Sequence, residues 1–561
     1  MPVSDPRRSR LKYLLTAALV AAVVFFAAAP PRPARTPESQ PADPRVLRGA
    51  YHIHTTRSDG ALDRDAVALA ASRAGLKFAI FTDHGDGTRV PAPPEYVHGV
   101  LCLDGVEVST DDGHYVALGI GQTPYPLGGD GDGVAEDVAR LGGFGIAAHP
   151  FSPRQELAWT DWSAPLDGLE WVSADSEWRD EGRFAISRAV LGYLSRPAAA
   201  LASLLDRPVS TLAQWDQLAA RRRIIALAAH DAHGGFGREN GGTSGRRLHV
   251  PSYETTFRSF SLRVILSSPP SGDASRDASL LLSAIRAGTV FTVIDAVASP
   301  GALEFHASAG GATIAMGATV PAAAGRVRFA ARADVPPNTS ILLLRNGEVV
   351  AWREGGALEH EADDPGSYRV EVMVPQAPGN PQIPWILSNP IFWFGSQPAA
   401  DHPQLPAGAS SPISIADWRT EASTGSRASV GVGKSEVRFT YELAGGHPAS
   451  QFAALVNDLR DLPDISAIAL RASASHPMRI SAQLRFAQDG LRRWKRSFYL
   501  DQAERTIRIP IAALRPADGP GPMPPTSRAT SLLLVADLTN AVPGARGEFT
   551  VSDVALEKSE K

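Results

Sequence analysis

The 561-residue sequence predicts an α/β barrel in its first half, followed by two all-β sandwich domains. Four short apolar runs are typical of buried strands, and residues of metal-binding types directly follow each of them. The runs are KFAIFT, VLCLDGV, GFGIAA and RIIALAA. In barrels of alternating strands and helices, chemistry takes place at the carboxyl ends of the strands. After residue 300 the alternation gives way to strands alone, which predicts the all-β remainder.

Metal-type side chains are concentrated in five short clusters between residues 52 and 233. Imidazole and carboxylate groups bind Zn²⁺, Mn²⁺ or Fe²⁺, and their mixture suits a hydrolytic site. The nine candidate metal ligands are His52, His54, Asp59, His84, Glu107, His114, His149, Asp231 and His233.

The five clusters resemble, in their order along the chain, the motifs of the PHP (polymerase and histidinol phosphatase) domain family. They read HIHTTRSDG, then TDH, then GVEVS with a following GH, then AHP, and finally DAH. The resemblance covers about residues 46–300, and five ordered motifs make it specific. It implies a distorted (β/α)₇ barrel that binds two to three divalent ions, Zn, Mn or Fe, at its mouth.

The resemblance also implies how the ligands are shared. Glu107, Asp231 and His233 are the expected catalytic residues. His230 departs from the family, in which a small residue is common before the Asp, so it either hydrogen-bonds a metal ligand or packs the core, and the hydrogen bond is the favoured role. The implied metal sites are His52, His54, Glu107 and Asp231 for the first, Glu107, His114 and His149 for the second, and Asp59, His84 and His233 for the third.

Metal-assisted hydrolysis is the chemistry that such a site favours. Cations that share Glu107 would share a bridging water and lower its pKa toward ~7, which gives a hydroxide that can attack a phosphate ester. The same hydroxide can attack a carbonyl, so a carboxylic ester or carbamate hydrolase is an alternative. A second alternative is a non-catalytic envelope protein that binds a partner. The candidate substrate-binding arginines are Arg57, Arg89, Arg154 and Arg238.

The N-terminus predicts export to the cell envelope. Four basic residues among the first twelve precede a charge-free run from Tyr13 to Ala29, so 1–29 is a signal sequence or a membrane anchor. Cleavage after Ala29 would leave Pro30 first, which signal peptidase tolerates poorly, and an uncleaved anchor is therefore favoured over a secreted or periplasmic form. Residues 30–46 are a proline-rich tether.

The expected domains are the barrel over 47–299, an immunoglobulin-like sandwich over 300–396, a linker over 397–412 and a galactose-binding-like jelly roll over 413–557. In the first sandwich, Asn346-Gly347 predicts a type I′ hairpin turn, and the alternation over 367–374 predicts a half-buried strand.

The jelly roll is a possible carbohydrate-binding domain. Trp418 and Trp494 could stack on sugars, although packing within the sandwich is the favoured interpretation. A net charge of −4 with mixed signs shows no nucleic-acid-binding footprint, and a single cysteine excludes an intramolecular disulfide.

Overall fold

The computed structural model describes residues 29–37, 43–235, 250–395, 410–447, 450–460, 462–487, 492–519 and 521–558, together with the single residue 16. Most of the predicted N-terminal anchor and of the 397–412 linker therefore lies outside the described residues. Within the described part of the chain, no helix combines the length and the apolar character that crossing a membrane requires.

Eight α-helices have described bounds, and all of them lie in the first 300 residues. Three begin at a residue whose side chain accepts a backbone N–H of the first turn, namely Asp63, Ser252 and Asp273. The helices are α1 (Arg64–Arg73), α2 (Gly131–Arg140), α3 (Ala174–Arg179), α4 (Arg183–Tyr193), α5 (Pro197–Ala202), α6 (Val209–Ala219), α7 (Tyr253–Ser259) and α8 (Ala274–Arg286).

The strands of the first 300 residues include all four predicted apolar runs, which form β3, β5, β8 and β10. These four are almost fully buried, as predicted. The strands are β1 (Ala34–Arg35), β2 (Val46–Ile53), β3 (Phe78–Phe81), β4 (Glu95–Val97), β5 (Val100–Asp104), β6 (Val106–Thr110), β7 (Gly113–Leu118), β8 (Phe144–Ala147), β9 (Gly168–Ser173), β10 (Ile225–Ala229), β11 (Ser261–Ile265), β12 (Val290–Val293) and β13 (Ala298–Ser299).

The prediction of a (β/α)₇ barrel is wrong, because the described strands of this region divide between two mixed sheets. One sheet has the order β10-β9-β8-β7-β6, and the other is a twelve-stranded sheet that contains β2, β3 and β5. Strands β6 and β7 form an antiparallel hairpin without a helix between them, and β11 and β12 are also antiparallel. The strict strand–helix alternation that a barrel of this class needs is therefore broken.

Two isolated β-bridges join the sheets. One connects Ile53 to Ala232 and the other connects His84 to Glu107, both in the parallel sense. All four residues are ligands or direct neighbours of ligands in the sequence. The seam between the two sheets is therefore the place where the predicted metal-type residues meet.

The middle domain is a β-sandwich, as predicted, but one of its sheets is not its own. A four-stranded sheet, β15-β14-β17-β20, belongs to this domain alone, whereas its other strands extend the twelve-stranded sheet of the first domain. The middle strands are β14 (Leu303–Ala309), β15 (Ala312–Ala315), β16 (Thr319–Val320), β17 (Val327–Ala333), β18 (Ser340–Arg345), β19 (Glu348–Glu354), β20 (Ala357–Ala362), β21 (Gly366–Met373), β22 (Ile386–Ser388) and β23 (Ile391–Trp393).

The twelve-stranded sheet contains strands from both sides of the predicted domain boundary at residue 300. Strand β22 pairs with β12 in antiparallel register, with Ile386 opposite Val293. The side chain of Asn389 bonds the backbone N–H and C=O of Ala226 and the C=O of Val290. The sandwich is thus hydrogen-bonded directly to β12 and to β10, the strand that precedes Asp231 and His233.

Two local predictions for the sandwich have different outcomes. The hairpin at Asn346-Gly347 is confirmed, since both residues have positive φ, at 50° and 87°. The prediction of a half-buried strand over 367–374 is wrong, because the side chains on both faces of β21 are buried. The polar face of β21 carries Arg369 and Glu371, and two residues of the first domain cover it. Asp216 pairs with Arg369, and Nη1 of Arg207 lies 2.7 Å from Oε2 of Glu371.

The C-terminal domain is a second β-sandwich of two six-stranded sheets. Trp418 and Trp494 are 5% and 2% exposed, so they pack the sandwich and offer no sugar platform. Its strands are β24 (Ser410–Pro412), β25 (Trp418–Ala422), β26 (Arg427–Val432), β27 (Glu436–Glu442), β28 (Phe452–Asp458), β29 (Ile465–Ala474), β30 (Met478–Phe486), β31 (Arg492–Leu500), β32 (Arg505–Pro510), β33 (Arg515–Pro516), β34 (Ala529–Asp537) and β35 (Arg546–Lys558).

We expect Asn389→Ala to lower the free energy of unfolding by about 2 kcal/mol, because it leaves buried backbone groups of Ala226 and Val290 without partners. Urea unfolding followed by tryptophan fluorescence measures the loss. The control is Gln502→Ala, which removes an exposed amide and should change stability by less than ~0.5 kcal/mol. Equal effects of the two substitutions would contradict the proposed role of Asn389 in joining the domains.

Candidate metal centre

The structure brings all nine candidate ligands into one cluster at the seam of the two sheets. They form four overlapping groups, and within each group one ligand atom of every residue lies within 4.8 Å of the others. The groups are His54, Asp59, His84 and His233, then His52, His54 and Glu107, then His52, His149 and Asp231, and finally His84, Glu107 and His114.

The carboxylate of Glu107 lies at the centre of this cluster. The side chain is 1% exposed, and imidazole nitrogens approach both of its oxygens. Oε1 of Glu107 lies 2.7 Å from Nδ1 of His114 and 3.1 Å from Nε2 of His149. Oε2 of Glu107 lies 3.2 Å from each of three nitrogens, namely Nε2 of His52, Nε2 of His54 and Nδ1 of His84.

Several of these converging atoms are buried and have no hydrogen-bond partner among the described residues. They are Nε2 of His52, Nε2 of His54, Nδ1 of His84 and Oε2 of Glu107. A buried polar atom without a partner is costly, and such atoms are rare in folded proteins. A divalent cation would satisfy all four atoms at once, because neutral imidazole and carboxylate are its preferred ligands. The residues therefore fit a metal ion.

Three of the ligands have strained backbone conformations. The φ angles of His52, His149 and Asp231 are 61°, 28° and 44°, in the left-handed region that non-glycine residues avoid. At His52 the pairing of β2 with β3 also shifts register. Such strain costs on the order of 1–3 kcal/mol per residue and is concentrated at functional sites. Here the strained residues lie at or just beyond the ends of β2, β8 and β10, where the chain turns toward the cluster.

The cluster is closed at its base and open at one side. His52 and His54 are fully buried, whereas the side chains of Asp59, His84 and His233 are 54%, 33% and 26% exposed. Asp59 Oδ2 lies 3.3 Å from Nε2 of His233 and 3.7 Å from Nε2 of His84. The ligands of the implied third metal therefore form the mouth of the site.

The charges within the cluster stabilise one another. Burial favours the neutral form of His54, but the nearby carboxylates of Asp231 and Glu107 outweigh burial and raise its pKa to about 9. Burial also opposes ionisation of Glu107 and Asp231, yet the neighbouring imidazoles, first of all His52, hold the pKa of both carboxyls below the usual range. Both carboxylates are ionised at neutral pH, as a cation site requires.

Glu170 belongs to the site and was missed by sequence reasoning. It lies on β9 with a fully buried side chain, its Oε1 2.6 Å from Nδ1 of His52. Its Oε2 accepts the backbone N–H of His149 at 2.7 Å. A carboxylate at Nδ1 fixes the tautomer and directs Nε2 of His52 toward Glu107. The signal in the sequence is a lone acid within the apolar run GLEWVS.

His230 does not have the role expected of it. Its Nε2 bonds the carbonyl of Phe260 at 3.0 Å, and its ring stacks on the Phe260 ring at a centroid distance of 4.3 Å. Burial lowers its pKa to about 4, so the ring is neutral. The expectation of an outer hydrogen bond to a ligand is wrong, and His230 packs the core beside Asp231.

Two of the four candidate arginines adjoin the site. Arg57 and Arg89 line a cleft of about 240 Å³ that also borders His84. Arg57 is held in place by Asp104, with Nη1 2.8 Å from Oδ2. Arg154 is exposed on the loop after His149 and does not line this cleft. Arg238 lies outside the described residues.

No family model and no curated protein match the chain. Among solved structures, it is similar to the family 11 carbohydrate-binding module of a Clostridium thermocellum cellulosomal cellulase, at 16% identity and a TM-score of 0.23, over 28% of this chain and 98% of the module. It is also similar to the N-terminal cellulose-binding domain of Cellulomonas fimi β-1,4-glucanase C, at 13% identity and a TM-score of 0.18, over 28% and 99% of the two chains. At these scores the likeness supports no argument about function.

We expect Glu170→Gln to weaken divalent metal binding about 10- to 100-fold, because the amide no longer fixes the imidazole of His52 as an anionic partner does. Competition with a chromogenic chelator for Zn²⁺ or Mn²⁺ measures the change. Glu304→Gln, on an exposed position of the middle sandwich, is the matched control and should leave the affinity unchanged. Unchanged affinity in Glu170→Gln would show that His52 does not depend on this carboxylate.

Proposed function

We propose that this chain is a metal-dependent hydrolase that cleaves a phosphate ester, and that it is related to the PHP family whose motifs it resembles. One observation carries the proposal. Five imidazoles surround the Glu107 carboxylate, several of their nitrogens are buried without partners, and an arginine-lined cleft opens beside them.

The side chains would hold two to three divalent ions in the shared arrangement that the motifs imply. His52 and His54 approach one oxygen of Glu107, and His114 and His149 approach the other. Oδ1 of Asp231 lies 3.2 Å from Nε2 of His54. Bound cations of this kind supply Lewis acidity and lower the pKa of a coordinated water. The buried base of the cluster, with Glu170 behind His52, keeps these ligands in place without access of bulk water.

Substrate would enter where the cluster is exposed. Asp59, His84 and His233 form the mouth, and the cleft with Arg57 and Arg89 begins at His84. A guanidinium binds phosphate oxygens through charge-assisted hydrogen bonds, often two at a time. Arg57 is already oriented by Asp104, whereas the side chain of Arg89 is exposed at the cleft. These arginines favour a phosphate ester over an uncharged ester as the substrate.

A panel of chromogenic phosphomonoester, phosphodiester and carboxylic ester substrates tests the reaction class on the metal-loaded full chain. We expect turnover of a phosphate ester, its loss on chelation, and its loss in Glu107→Gln, which weakens the ligand that both cation positions share. Glu304→Gln is again the control and should retain activity. Turnover of the carboxylic ester alone would contradict a phosphoesterase, and no turnover of any substrate by metal-loaded protein would favour a binding role.

Arg89→Ala should raise KM for the phosphate ester about 10-fold or more, because a charge-assisted hydrogen bond contributes about 1.5–3 kcal/mol. Arg154→Ala is the matched control, since Arg154 does not line the cleft. Steady-state kinetics of both variants decide the role of Arg89. A similar KM for Arg89→Ala and wild type would place the phosphate elsewhere in the site.

A further inference from the structure

Helix α4 exposes an apolar face that nothing in the described part of the chain covers. Large apolar side chains at a solvent surface are ordinary when they are scattered, but a group of them on one helix marks an interaction site. The exposed fractions are 84% for Phe184, 63% for Val190, 39% for Leu191 and 77% for Leu194, which follows the last helical residue.

The opposite face of α4 is bound to the protein, so the apolar face cannot simply turn inward. Ala189 and Gly192 are buried on that side. The hydroxyl of Tyr193 lies 3.1 Å from Oγ1 of Thr255 and accepts the backbone N–H of Ser252 at 3.3 Å. These contacts orient the helix, and the apolar side chains point away from the domain.

The N-terminal part of the chain reaches the body of the protein at this helix. The guanidinium of Arg196, two residues after Leu194, donates to the carbonyl of Pro30. Strand β1 then continues along β13, with Ala34 opposite Ala298. Pro30 directly follows the charge-free run Tyr13–Ala29, which is the predicted anchor. If that run enters a bilayer, Pro30 lies at headgroup level, and α4 lies beside it.

The charges of the segment suit an anionic surface. Residues 183–196 contain Arg183, Arg188 and Arg196 and no acid, and the nearest acids in the sequence, Asp180 and Glu181, precede the helix. Arg183 and Arg188 are exposed on the same helix as the apolar residues. Apolar side chains flanked by arginines are typical of helices that lie in the interface of a membrane with anionic lipids.

We propose that the face of Arg183, Phe184, Arg188, Val190, Leu191 and Leu194, here called the α4 face, docks on an anionic lipid bilayer. The N-terminal run would hold the chain at the membrane, and the α4 face would fix how the folded domains lie on it. The proposal depends on the predicted anchor and not on the proposed hydrolase activity. Two attachments give a stable orientation, whereas one terminal segment leaves the domains free to rotate.

A single fluorescent label in the full chain tests this orientation. The sole native thiol, Cys102, is buried, and burial raises its pKa to about 11, so it reacts poorly with thiol dyes. An environment-sensitive dye is attached in Leu194→Cys and, as the control, in Val432→Cys, which is 52% exposed on the C-terminal sandwich. Both proteins are reconstituted in phosphatidylglycerol–phosphatidylcholine vesicles, with or without brominated acyl chains.

We expect a blue shift at position 194 and loss of most of its fluorescence in brominated vesicles, with neither change at position 432. Phosphatidylcholine alone, or Arg183→Gln with Arg188→Gln, should reduce the quenching, because the arginines lose their anionic partners. Equal responses at both positions, or no association with vesicles, would overturn the proposal. A blue-shifted dye that brominated lipid does not quench would also overturn it, since protein would then cover the face, whether the chain's own N-terminal segment or a second copy.

Discussion

The Glu107 carboxylate is the group around which the first domain is organised. It projects from β6 at the edge of one sheet, and a β-bridge joins its backbone to His84, which follows β3 of the other sheet. Imidazoles from both sheets converge on its two oxygens. A buried carboxylate is tolerated only where opposite charge or strong hydrogen bonding compensates for lost solvation. The positions of the surrounding strands are therefore coupled to this one side chain.

The middle sandwich shares this scaffold. Its sheet continues from β12 through β22, and Asn389 joins it to Ala226, five residues before Asp231. A buried ion-pair network of Arg207, Glu371, Arg369 and Asp216 joins the same two regions. Removing one member of such a network leaves an uncompensated buried charge, so the parts are interdependent. The middle sandwich is thus joined by hydrogen bonds and ion pairs to the domain that contains the metal-type cluster.

The C-terminal sandwich is attached more locally, through helix α2 and the loops that contain Asp111 and Pro126. The fully buried Arg479 donates to both carboxylate oxygens of Asp137 at 2.9 Å, and Lys495 pairs with Asp111 at 2.9 Å. The amide of Asn540 bonds the carbonyl of Pro126. These contacts use one face of the sheet that contains β30 and β31. This face is therefore committed to holding the domain against the first domain, and a ligand of the sandwich would have to bind elsewhere on it.

The nine ligand-type residues, the strands that precede them and the hairpin turn at Asn346 were predictable, because residue type, strand-end position and turn chemistry are local properties of the chain. Three features were not predictable from the sequence: the division into two sheets, the role of Glu170, and which of its two candidate roles His230 has. Glu170 looks like any acid in a strand until folding brings it to His52, 118 residues away. The sequence by itself determined which side chains could bind a metal. Only the tertiary structure decided how they converge, since sheet order and burial depend on contacts between residues distant in the chain.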